Sequence, residues 1–275
     1  MRRSSRLSIV ARHTPGEKHP VDNATAEIER DDTRRNAFTL LLDGVESSHV
    51  DLDDPTYLVF EYMQWFGGVV DCLRPAKEPV DTVHVGGAAA TLARFIAATR
   101  PLSRQTVFEI DVALVELVRE KLPLPKSRRL RIRVADARLG LAALPTSSAD
   151  LVVRDAFLDA EVPPHLLTIE FALLVKETLR PGGVYMMNVA DGVPFRKLGP
   201  DVAAVAEAFS ELAVISEPAV FRGRRHGNLV VLASDAALPV DGIAAKLASG
   251  AAPARVRAGG EARAMARGHR PPRDQ

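Results

Sequence analysis

Cysteine is almost missing from this 275-residue chain: Cys72 stands alone. One thiol can form neither an intrachain disulfide nor a thiolate metal cluster, so no metal is expected and a reducing compartment is. Lysine is scarce as well, with seven among 36 basic residues. Long apolar runs are absent: nowhere do 18 uncharged apolar residues follow one another, and the opening MRRSSRLSIVARHTPGEK lacks the apolar stretch of a secretory signal. A cytoplasmic protein without membrane contact is the expectation. An excess of charge of one sign is also lacking, since the formal net charge is only +1; no global field marks a nucleic-acid partner, and none is expected. What the chain does have is an ordinary globular composition, 47% hydrophobic and 26% charged, which excludes disorder of the whole. Its arginines crowd the ends: Arg2, Arg3, Arg6 and Arg12 at the start, and Arg255, Arg257, Arg263, Arg267, Arg270 and Arg273 in the tail.

Four stretches follow from the patterning. Residues 1–36 mix charge with Pro15, Gly16 and Pro20 without periodicity and read as a flexible arm. Residues 37–79 read as a small leader: AFTLLL stops at Asp43-Gly44, a hairpin dipeptide, with SSHVDL as the return strand. DDPTYLVFEYMQWFGGVVDCL then reads as a helix capped by Asp53 or Asp54, with Pro55 in its first turn. Residues 80–248 alternate strand and helix. Strands are expected at Thr82–Val85, Thr106–Ile110, Leu130–Val134, Ala149–Val153 and Val184–Val189, then in AVISEP and NLVVLAS. Helices are expected in TLARFIAAT, at Val112–Lys121, at Pro164–Leu179 and near Pro200–Leu212. This alternation implies an α/β fold, a doubly wound, seven-stranded, mainly parallel sheet with helices on both faces. Residues 249–275, rich in Gly, Pro and Arg, read as a disordered tail.

In such a sheet ligands sit beyond the carboxyl ends of the strands. The first strand ends in Gly86-Gly87, which lets backbone approach a ligand, or simply makes a tight turn. The second ends in Glu109-Ile110-Asp111, about 20 residues on, where folds of this kind hold a ribose diol on a carboxylate; Asp111 is expected to cap the next helix. The third ends in Ala135-Asp136-Ala137, where Asp136 can accept from an exocyclic amine or merely turn the chain. The fourth ends in Arg154-Asp155-Ala156-Phe157, with Asp159 four residues after Asp155. Together they describe a nucleoside pocket with an acidic floor.

The runs DTVHVGGAAATLARF, FEID, ADAR, DLVVRDAF and LRPGGVYMMNV resemble the S-adenosylmethionine-dependent methyltransferase fold in the form used by spermidine synthases, the polyamine aminopropyltransferases. LLLDGVESSHVDLDDP resembles the β-hairpin leader that separates those enzymes from plain methyltransferases. The resemblance implies nucleoside contacts at Gly86, Gly87, Glu109, Ile110, Asp136 and Ala137. It also implies a catalytic role for Asp155, which orients or deprotonates the attacking amine. Donor, acceptor and assembly follow the same way: S-adenosylmethionine or its decarboxylated form, a small amine or other nucleophile, and a homodimer. The sequence departs from the family where Ala88-Ala89-Ala90 stands in the acid-bearing glycine loop, where Ser47 or Ser48 replaces a glutamine, and where Val59 falls near the tyrosine of the diamine pocket. Methyl transfer to another small acceptor, and a non-catalytic nucleoside-binding scaffold, are the competing readings. His49, His165 and His226 are expected at the surface or in loops. Tyr57, Phe60, Tyr62, Trp65 and Phe66 are expected in the core rather than in a pocket.

Overall fold

The computed structural model describes residues 16–158 and 161–274; Arg2, Arg3, Arg6, Arg12 and Asp159 lie outside them. Four strands, β1 (Lys18–Pro20), β2 (Thr25–Arg30), β3 (Ala37–Leu42) and β4 (Val45–Asp51), pair antiparallel in chain order. The β3–β4 hairpin turns at Asp43-Gly44 as expected, with both residues at positive φ (50° and 79°), the backbone that a two-residue turn needs. Residues 16–36 are not the flexible arm expected. Ala26 and Ile28 alternate inward from TAEIER and pack with Phe38, Leu40 and Val50. Two apolar residues among six are too few to announce a strand, yet period-two placement suffices to bury them.

Helix α1 (Glu61–Leu73) begins later than expected. Residues 53–57 are held in turns instead: Asp51 accepts from the N–H groups of Asp53 and Asp54 at 2.8 and 2.9 Å, and Asp54 from that of Thr56 at 3.1 Å. Side-chain acceptors of this kind compete with the helix for its backbone donors.

The main sheet follows with β5 (Thr82–Val85), α2 (Thr91–Thr99), β6 (Gln105–Glu109), α3 (Val112–Lys121), β7 (Leu130–Val134), α4 (Ala137–Ala142), β8 (Ala149–Arg154), α5 (Ile169–Thr178) and β9 (Leu179–Asp191). After these come α6 (Leu198–Ala208), β10 (Glu211–Ser216), α7 (Pro218–Phe221), β11 (Gly227–Ser234), α8 (Val240–Ala248), β12 (Arg255–Ala258) and α9 (Gly260–Arg263). The strand order is β12-β10-β11-β9-β8-β5-β6-β7. Strands β5 to β9 are parallel, and β11 runs antiparallel to both neighbours. The single helix expected over Pro164–Leu179 is a 3₁₀ turn at Pro164–Leu166 followed by α5, because the Thr168 hydroxyl caps α5 on the Phe171 N–H at 3.2 Å.

The sheet has eight strands rather than seven because the tail is ordered: β12 pairs with β10, and Ala254, Ala262 and Met265 are buried. Arginine here satisfies backbone rather than solvent. Arg263 donates to the carbonyls of Ala206 and Phe209, acceptors left open at the end of α6, and to that of Ser210 just beyond it. Among the described residues no helix is long and apolar enough to cross a membrane.

Candidate active site

The chain runs from β5 outward to β6 and β7, then crosses back to β8 and β9, so strand order reverses between β5 and β8. Beyond the carboxyl ends of those strands, where a doubly wound sheet leaves its crevice, lies a cavity of about 480 Å³. Gly86, Gly87, Glu109 and Asp155 line it from the sheet, Glu46, Ser47 and Ser48 from β4, and Tyr62 and Asn188 from α1 and β9. Strand β4 reaches it through a bulge: Leu40 pairs with Ser48 and Leu41 with Glu46, which leaves Ser47 as the extra residue.

The glycines are demanded by close packing. Gly86 has φ +87°, and a Cβ there would lie 2.6 Å from the Asp155 carbonyl oxygen; a Cβ on Gly87 would lie 2.6 Å from Val107 Cγ1. Ala88 and Ala90 also take positive φ, 40° and 59°, a conformation that costs a residue with a Cβ about 1–2 kcal/mol. What holds the loop is Glu109. Its Oε2 accepts from the Gly87 and Ala88 N–H groups at 2.9 and 3.0 Å, and its Oε1 from the N–H groups of Ile110 and Asp111 at 2.9 and 3.2 Å. All four lone-pair directions of the carboxylate are met by backbone.

Asp155, half-buried, lines the cavity floor. Tyr62 Oη donates to its Oδ2 at 3.1 Å and Asn188 Nδ2 to its Oδ1 at 3.0 Å. Burial pushes the Asp155 carboxyl above its ordinary value, while the bonds from Asn188 and Tyr62 and the charge of Arg154 pull the other way. Burial, reinforced by the Asp155 charge, raises the Tyr62 phenol well above 10, so Tyr62 is a donor at any physiological pH. The carbonyl oxygen of Asn188 is buried without a partner among the described residues. That leaves one acceptor free beside a carboxylate. Arg154 itself points away, into a buried pair with Asp201 at 2.8 Å.

Not every expected residue converges. Asp111 caps α3 through the Leu114 N–H at 2.7 Å, as expected. Ile110, Asp136 and Ala137 stand outside the cavity lining. Asp136 caps α4 on the Leu139 N–H at 3.0 Å, and its other oxygen lies 2.8 Å from His165 Nε2. Ile110 and Leu139 are among the most exposed apolar side chains of the molecule, at 58% and 72%. His49 is not at the surface; it is buried in β4, 3.1 Å from Asp31. Trp65 is a core residue, as expected, but Tyr62 and Phe66 belong to core and cavity at once, and Tyr57 is exposed rather than in the core. Helical spacing put the Tyr62 ring inside; nothing in the sequence links its hydroxyl to Asp155, 93 residues away. Asn188 was likewise unsignalled, being one polar residue in the apolar run VYMMNVA. Among the described residues no group of three metal-ligating side chains converges.

No protein-family model matches the sequence. A solved structure of a probable spermidine synthase from Corynebacterium glutamicum is similar over 96% of this chain and 98% of its own, with a TM-score of 0.87 and 31% identity. A polyamine aminopropyltransferase of Vibrio vulnificus is 26% identical over 167 residues, 60% of this chain. The match spans about half, 53%, of that curated relative's length. A spermidine synthase solved in complex with the transition-state analogue AdoDATO shares the fold at a TM-score of 0.63 and 16% identity, over 85% of this chain and 78% of its own.

Proposed function

The chain belongs to the spermidine synthase family, the polyamine aminopropyltransferases, and from that membership we propose that it transfers an aminopropyl group from decarboxylated S-adenosylmethionine to a small amine. The observation that carries this reading is the lining of the cavity. Among the described residues it presents Asp43, Glu46, Glu109, Asp111 and Asp155 and no lysine or arginine. Such a wall favours cations, namely a sulfonium and amines, and offers nothing to pair with a free α-carboxylate.

In the proposed step the lone pair of the acceptor amine attacks the aminopropyl carbon bonded to sulfur. The C–S bond breaks with its electrons going to sulfur, which leaves as the neutral thioether methylthioadenosine. The new ammonium gives up a proton. The sulfonium is already a good leaving group, so the protein's contribution is alignment and an unprotonated nucleophile. Asp155 is the group to take that proton. The unpartnered Asn188 carbonyl accepts the amine's second N–H, and Tyr62, acting through Asp155, is a positioning residue.

For the donor, Glu109 is the proposed ribose contact, with the diol hydroxyls displacing backbone N–H groups from a carboxylate whose four acceptor directions they otherwise fill. The base would rest near exposed Ile110 and Leu139, with Ala137 beside it and Asp136 released from His165 as its acceptor. A homodimer through the leader is proposed from the resemblance, and sedimentation tests it. Calorimetric titration tests the donor. Tighter binding of decarboxylated than of intact S-adenosylmethionine is expected; preference for the carboxylated form supports methyl transfer, and binding of neither sulfonium leaves the scaffold reading.

A further inference from the structure

The densest positive charge among the described residues lies away from the cavity, on the outer edge of the main sheet. Residues 119 to 133 hold seven basic side chains and one acid, in a chain whose net charge is +1, so the rest of the chain is net negative. Strand β7 closes that edge, pairing with β6 on one side only. Leu130 turns inward, whereas Arg131 and Arg133 are exposed, as are Lys126, Arg128 and Arg129 in the approach to the strand. Arg119 joins them from α3, donating to the Ile132 carbonyl at 3.4 Å. Arg34, Arg104, Arg138, Arg154, Arg180 and Arg225 each pair with a carboxylate. Among the described residues no carboxylate pairs with Lys126, Arg128, Arg129, Arg131 or Arg133.

Charge on an edge strand blocks unwanted pairing, and one or two residues suffice for that. Here five unpaired cations follow one another within eight positions, and their repulsion is a cost that an anion would relieve. We propose that the β7 edge binds the phosphate backbone of a nucleic acid without reading its sequence.

The array has the shape of its ligand. An extended strand rises about 3.3 Å per residue, so Arg131 and Arg133 lie roughly 6.6 Å apart on one face. Arginine forks engage phosphate oxygens in pairs. From 119 to 133 there is no asparagine, glutamine or aromatic residue to read or stack a base. An anionic membrane fits less well, because Leu130 is buried and Ile132 half-buried, and of the strand's apolar side chains only Val134, at its very end, is exposed. A second copy pairing edge to edge would set arginine against arginine. The net charge of the whole chain concealed this patch, because acids elsewhere cancel it.

The test is fluorescence anisotropy of labelled duplex and single-stranded oligonucleotides of mixed sequence, from about 50 to about 200 mM salt, with phosphatidylserine vesicles as a second arm. Affinity that ignores sequence and falls steeply with salt is expected, with no uptake by vesicles. In Arg131→Gln/Arg133→Gln the slope of log affinity against log salt should flatten by about 2, while the melting midpoint and methylthioadenosine release stay unchanged. Absence of binding at the lowest salt, an unaltered slope in the double variant, or tighter binding to vesicles than to nucleic acid would overturn the proposal.

Discussion

Asp155 is a half-buried carboxyl raised by desolvation and restrained by two neutral donors, Asn188 and Tyr62, and by Arg154. Asp155→Asn keeps the size of the side chain, so nucleoside binding should persist while turnover falls roughly 10²- to 10⁴-fold. The folded state holds this proton more tightly than the unfolded chain. Stability therefore declines as pH rises from the ordinary carboxyl value through the raised one. Asp155→Asn should remove that decline, gaining on the wild type across this window, as denaturation at several pH values will show. A purely structural aspartate would instead give a less stable variant of normal specific activity. Removing the Tyr62 hydroxyl leaves one neutral donor, so in Tyr62→Phe the acid limb of kcat should move up by about one pH unit, measured as a pH–rate profile. A profile that keeps its limb would take Tyr62 out of the site. At this scale the sequence supplied Asp155 and Glu109 because acids at strand ends are conspicuous. It could not supply Tyr62 or Asn188, whose roles depend on a contact across the fold rather than on their own neighbours.

Among the elements, the loop from Gly86 to Ala90 is the strained one. Two glycines fit where a Cβ would strike Asp155 or Val107, two alanines sit at positive φ, and one carboxylate gathers the amides. Glu109→Ala leaves four backbone donors without their acceptor. It should cost about 2 kcal/mol of stability and about 2 to 4 kcal/mol of nucleoside affinity, read by thermal melting and calorimetry on the same preparation. Unchanged affinity with lowered stability would make Glu109 a clamp and nothing more. The strands β5 and β7 and the helices α2 and α3 have the limits that their apolar periodicity predicts, because each is bounded by a glycine, a proline or a capping acid. The start of α1 was misplaced because Asp51 and Asp54 can cap a turn as readily as a helix, and only the rest of the fold selects between them.

For the whole molecule, the C-terminal tail is structural. Trp65 Nε1 donates to the Ala252 carbonyl at 2.9 Å, β12 covers the edge of β10, and Pro272 receives the Ile169 N–H at 3.0 Å. A chain ending at Gly250 loses these together with the burial of Met265. With about 2 kcal/mol for that side chain and about 1 for each lost bond, its melting midpoint should drop by about 10 °C, and an unchanged midpoint would return the tail to disorder. Arginine-rich composition suggested disorder there because it does not reveal that a guanidinium can serve as a cap. The central claim is the group transferred. Incubating the chain with decarboxylated S-adenosylmethionine and a diamine, and following the nucleoside and the amine by mass spectrometry, tests it most directly: the account predicts methylthioadenosine and an amine heavier by one aminopropyl group, whereas a methylated amine formed from intact S-adenosylmethionine, with no turnover of the decarboxylated donor, would contradict it.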